Sequence, residues 1–128
     1  QWLDLPIQVI GVRVAPSHLG PFAACTEASV LQLMHKTRRH TERLAGLTLP
    51  EPVKPVLLEG YYGDGYGVAT SEGERACSQF ASAGLKLEQT YSGKAAACFL
   101  DALSTTTTPV LFWHTFNSRP SPALQALR

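Results

Sequence analysis

Three short segments concentrate the residues able to move a proton or hold a polar ligand. The first is Gly60-Tyr61-Tyr62-Gly63-Asp64-Gly65-Tyr66-Gly67, with four glycines and three tyrosines in eight residues. Its glycines make regular structure costly, and its phenols both donate and accept hydrogen bonds. The second is Tyr91-Ser92-Gly93-Lys94, at the start of a helical pattern, where unpaired backbone N–H groups and a hydroxyl face outward. The third is His114-Thr115, directly after an apolar run. Taken singly, each has a structural explanation. Ser92 reads as a helix N-cap, a buried tyrosine as packing with a satisfied hydroxyl, and His114 as a hydrogen-bonded core residue.

Other chemistries lack support. The glycine-rich loop has neither the GxGxxG spacing nor the Lys-Ser/Thr pair of a phosphate-binding loop. The histidines at 18, 35, 40 and 114 have no zinc-ligand spacing with any cysteine, and no metal is expected. No local motif pairs His114 with a serine or cysteine nucleophile. Lys36, Arg38, Arg39 and Arg43 crowd one helix end, where cations suit the helix dipole. They read as a solvated helix end, and His35 and Glu42 as solvated residues on its polar face.

The elements that must position these groups follow from pattern. The 128 residues are 45% apolar and 16% charged, enough for one domain with a real core. Eleven Lys and Arg against ten Asp and Glu leave a net charge of +1, which gives no reason to expect nucleic acid or an anionic membrane as partner. No stretch approaches the ~18 apolar residues of a membrane span. Three cysteines without CxxC spacing suggest reduced thiols and a cytoplasmic setting. Strands are expected near residues 8–14, 56–59 and 110–114, because these runs are short, apolar and rich in branched side chains. Helices are expected from about Phe22 to Arg43, from Ser71 to about Ala83, and from Tyr91-Ser92 onward. Ser71 and Glu74 read as a capping box, and Gly84 as a stop. The last helix has the stripe Ala95, Cys98, Phe99, Ala102 and Leu103. Strands separated by helices imply an α/β fold: a three-layer, mainly parallel sheet with helices on both faces. Ligands of such sheets bind beyond the carboxyl ends of the strands. The proline-containing residues 119–128 read as a tail behind a domain spanning 1–118. Because a strand-like run follows Gln1 so closely, with no leader peptide before it, a missing upstream part is expected.

Four blocks together resemble a family. Tyr-Gly-Asp-Gly-Tyr-Gly-Val (62–68), Ser-Glu-Gly (71–73), Gln-Thr-Tyr-Ser-Gly-Lys-Ala (89–95) and Val-Leu-Phe-Trp-His-Thr (110–115) are similar, in residues, order and spacing, to the later part of the D-cysteine desulfhydrase and 1-aminocyclopropane-1-carboxylate deaminase family. These are pyridoxal-phosphate (PLP) enzymes of fold type II, related to the tryptophan synthase β chain. The resemblance covers most of the chain, more weakly before Leu58, and less than half of a complete family member.

The resemblance implies a partial PLP domain acting on a small amino acid. Tyr66 and Tyr91 match the substrate-facing tyrosines, Ser92 the hydrogen-bond partner of the pyridine nitrogen, and Thr115 a residue lining the cofactor ring. Lys94 matches a helix-opening position and not the Schiff-base lysine, which belongs to the earlier part of the family sequence, as does the phosphate-cradling loop. A neutral hydroxyl at Ser92 goes with the desulfhydrase-like branch, hence β-elimination with release of ammonia; a carboxylate there goes with the deaminases. Phe116-Asn117-Ser118 stands where the family commonly has two glycines, which puts the substrate in question. The implied partners are the amino-terminal part of the same chain and a second copy in a homodimer. The competing reading is a non-catalytic α/β binding or structural module derived from that fold.

Overall fold

The computed structural model describes residues 6–115. Their order is β1 (Ile10–Val12), β2 (His18–Leu19), β3 (Phe22–Ala23), α1 (Glu27–Ala45), β4 (Val56–Leu58), α2 (Ser71–Ser82) and α3 (Ser92–Thr105). The fold is α/β. β1 and β4 pair in parallel, with Ile10 opposite Val56 and Val12 opposite Leu58. Arg13 N–H extends the ladder to Leu58 O at 2.8 Å. Gly11 makes room for its neighbour: a Cβ there would stand 2.6 Å from Leu57 Cδ2.

The expected start of the first helix at about Phe22 is corrected. β2 and β3 form a small antiparallel hairpin, and Phe22–Ala23 are one of its strands. Its two-residue turn is Gly20-Pro21, with Gly20 at φ 59°. A positive φ first and a proline φ second fit a type II′ turn, whose twist suits a hairpin. α1 therefore starts later, where the Thr26 side chain accepts from Ser29 N–H and Ser29 caps Thr26 in return. It ends at Gly46, φ 63°, in the left-handed conformation that a glycine adopts without strain.

The basic end of α1 is partly ion-paired. Arg38 meets both Glu42 and Glu51, and His35 lies 3.5 Å from Glu51. Glu42 is not simply solvated. Its Oε1 accepts from Leu49 N–H at 2.8 Å and from Arg38 Nε–H at 3.1 Å. These bonds, the Leu49 amide first, hold its carboxyl below the ordinary 4.5. A depressed carboxyl contributes stability above its unfolded pKa and loses it as pH falls through the folded one. The melting temperature is thus expected to fall less on acidification below about pH 4.5 in Glu42→Gln than in wild type. Superimposable acid limbs in thermal melts would contradict this.

α2 and α3 pack together around a core of Ala76, Leu87, Ala96 and Ala97, flanked by Tyr61, Cys77, Phe80, Leu100 and Phe112. The cap of α2 is Thr70, one residue before the expected Ser71: its Oγ1 accepts Gly73 N–H at 3.1 Å. The buried side of α3 follows the expected stripe in part: Cys98 is buried and Ala95, Phe99 and Ala102 are half-buried. Ala96 and Ala97 are buried, whereas Leu103 is exposed. Two glycines explain the approach of these helices. A Cβ on Gly93 would stand 2.7 Å from Cys77 Sγ and 3.3 Å from Gly73 O; one on Gly73 would stand 3.6 Å from Gly93 C.

The expected third strand at 110–114 is not formed among the described residues, so the parallel sheet has two strands instead of three, and the described sheets are not a mainly parallel three-layer core. Burial nevertheless alternates along this segment, with Val110, Phe112 and His114 inward and Leu111, Trp113 and Thr115 outward. Phe112 is fixed by rings. It lies 5.4 Å from Phe80 and 5.5 Å from Phe99, and its ring stacks with His114 at 6.1 Å. The segment has the side-chain period of a strand and, among the described residues, no ladder partner. Leu111 and Trp113 are 81% and 80% exposed, and Ile7, Val9 and Ile10 around β1 are exposed as well. Among the described residues, no helix is long and apolar enough to cross a membrane. Cys25, Cys77 and Cys98 are free thiols. Residues 116–118 and the tail at 119–128 lie outside the described residues.

Candidate functional site

Tyr66 and Tyr91, 25 positions apart, meet through their hydroxyls. Their rings pack edge to face, centroids 5.8 Å apart at 67°. They are 57% and 45% exposed, so the pair is open to a ligand. When one phenol donates to the other, the acceptor's own proton points elsewhere. The pair thus presents one outward O–H together with free lone pairs.

Tyr91 is held from below by Glu88. One oxygen of the Glu88 carboxylate accepts from Tyr91 N–H at 2.8 Å and Ser92 N–H at 2.5 Å, the other from Thr90 N–H at 2.7 Å. This carboxylate caps α3, because Tyr91 at the N-cap position makes no side-chain cap bond. The expected role of Ser92 as N-cap is corrected accordingly: Ser92 is the first residue of the helix. Its buried hydroxyl accepts Glu88 N–H at 2.9 Å and donates to Glu88 O at 3.2 Å. Sequence reasoning missed Glu88. The signal was an acid one turn before a helix start, where carboxylates are favourable. Glu88→Ala removes three charge-assisted bonds and is expected to cost about 2 kcal/mol. Chemical denaturation would show it, and a loss below a few tenths would contradict this capping role.

The glycine-rich loop is tied to α3 by Lys94. Its Nζ donates to Tyr62 O at 2.6 Å and Gly65 O at 3.4 Å and lies 5.4 Å from the centre of the Tyr62 ring. Tyr61 is bound to the same helix, its hydroxyl donating to Asp101 at 3.0 Å. Burial, then this carboxylate, pushes its phenol well above the ordinary value. Burial likewise raises the thiols of Cys77 and Cys98.

Of the four residues singled out by sequence, the structure brings Tyr66 and Tyr91 together; Ser92 follows Tyr91 directly, with its hydroxyl on Glu88. Thr115 is exposed at the end of the described chain, and no hydrogen bond among the described residues joins it to them.

The fit to PLP is one-sided. The Ser92 hydroxyl is a neutral group whose single proton makes a long bond to a carbonyl, so a ring nitrogen can compete for it while Glu88 N–H still steadies the oxygen. Among the described residues the phosphate and amine ends find no counterpart. Thr26, Thr70 and Glu88 already cap the three helices, and Lys94 is 0% exposed with its ammonium engaged by carbonyls. No protein-family model matches the chain, and no curated protein matches it.

Proposed function

We propose that this chain is the carboxy-terminal portion of a PLP-dependent lyase or deaminase of fold type II. It would act in the cytoplasm on a small amino acid, by β-elimination from a D-cysteine-like substrate with release of ammonia. The observation that carries this reading is the meeting of Tyr66 with Tyr91, the residue that directly precedes Ser92 at the start of α3. Two residues that the resemblance assigns to one site meet there from separate segments, and the third, Ser92, follows the second in sequence. The uncovered apolar faces at Val9, Leu111 and Trp113 add support, since a larger parallel sheet would cover them. That sheet would come from an amino-terminal portion, which also would supply the Schiff-base lysine and phosphate cradle, within a homodimer.

In this reading Ser92 would hold the pyridine nitrogen of PLP through its hydroxyl, and Thr115 would line the ring. PLP, when bound, supplies the electron sink for bond breaking at the substrate's α-carbon. A neutral hydroxyl does not hold a proton on the ring nitrogen, which favours loss of a good leaving group such as a thiol. The tyrosine pair faces the substrate, and its outward O–H is the group able to protonate the departing sulfur.

The division of roles is testable on the 128 residues alone. After incubation with PLP and reduction with borohydride, peptide mapping is expected to find no pyridoxyl group on Lys94. A label there, lost in Lys94→Ala, would overturn the assignment.

A further inference from the structure

We infer that Lys94 is the positioning residue that sets Tyr66 against Tyr91, by anchoring two carbonyls of the glycine-rich loop to the first turn of α3. The inference rests on the proposed function only in calling these tyrosines substrate-facing. Lys94 is the largest fully buried side chain among the described residues. A buried ammonium is costly unless every proton finds an acceptor. Among the described residues this one forms no ion pair, and its partners are Tyr62 O, Gly65 O and the Tyr62 ring. Both carbonyls belong to the loop, and the second directly precedes Tyr66.

Such a loop does not hold itself. Gly63 and Gly67 take φ values of 73° and 75°, and the single backbone hydrogen bond within residues 60–70 runs from Val68 N–H to Gly65 O. Ordering it demands an outside anchor, because glycines lose the most freedom on folding. Lys94 stands three residues after Tyr91 on the same helix start. Tyr61 ties the start of the loop to Asp101 two turns further along α3, and Lys94 fixes the part next to Tyr66 to the turn that carries the second phenol, so the hydroxyl pair follows. A methionine of similar length keeps the apolar stem and loses all three donors.

The test is nuclear magnetic resonance on the 128-residue chain without PLP. Wild type is expected to show ring-to-ring Overhauser contacts between Tyr66 and Tyr91. Lys94→Met is expected to lose them while the amides of α3 remain protected from exchange. Persistence of the Tyr66–Tyr91 contact in Lys94→Met would overturn the inference. Should that variant not fold, the wild type still decides: slowly exchanging Lys94 ammonium protons with contacts to the Tyr62 and Gly65 α-protons are expected, and rapid exchange without them would overturn it. Neither readout involves catalysis, so absence of PLP binding or lyase activity would count against the proposed function and leave this geometry standing.

Discussion

Gly93→Ala is expected to destabilise the fold by about 3 kcal/mol, with the melting temperature lowered by on the order of 10 °C. The added Cβ would stand 2.7 Å from Cys77 Sγ, 3.0 Å from Glu88 O and 3.3 Å from Gly73 O. Two of these atoms are backbone oxygens and cannot rotate away, so α2 and α3 must separate. Separation also disturbs the Glu88 turn, since Gly93 N–H donates to Glu88 O at 2.7 Å. Gly84→Ala is the control. That glycine has φ 79° and open space around its Cβ direction, so only the left-handed backbone penalty of ~1 kcal/mol applies. Denaturant unfolding of the two variants should therefore separate them clearly. Equal, small losses would mean that α2 and α3 do not cross at Gly73 and Gly93.

The other large effect falls on turnover. In a full-length protein carrying this segment, Tyr66→Phe and Tyr91→Phe are each expected to lower kcat for β-elimination by roughly 10²-fold or more, the usual worth of a positioned acid or base. Both phenols belong to one hydrogen-bonded pair, so the double variant should lose little beyond the worse single one. A rise in KM with kcat unchanged would instead mark the tyrosines as groups that only bind substrate. Steady-state ammonia release across a range of pH distinguishes the cases. Activity within a few-fold of wild type in both variants would remove the pair from the chemistry.

Much of the helical framework was legible because apolar residues recurring at helical spacing mark where a helix runs. α2 and α3 lie where the apolar spacing places them, and β1 and β4 where short branched runs stand. Boundaries and faces were less legible, because competing local bonds decide them. Phe22 and Ala23 look like helix residues until Gly20-Pro21 folds them into a hairpin. Thr70 takes the cap of α2 from Ser71, and Glu88, a full turn ahead of α3, reaches forward to take the cap that Ser92 was expected to supply. The run at 110–114 has the composition of a buried strand, but a strand needs a partner, and composition does not supply one. The candidate residues Tyr66, Tyr91, Ser92 and Thr115 were visible as residue types with a family resemblance, though Thr115 is not joined to the others in the structure. The tie from Lys94 was not visible, since a lysine at a helix start ordinarily points into water.

The most direct test of the central claim is ammonia release from D-cysteine by a full-length protein carrying this segment, measured with PLP bound and after its removal. PLP-dependent release of ammonia, retained in part by Ser92→Ala and lost when the upstream Schiff-base lysine is replaced, is the result expected. A full-length protein that binds no PLP, or that loads with PLP and releases no ammonia from D-cysteine or any other small amino acid, would contradict it.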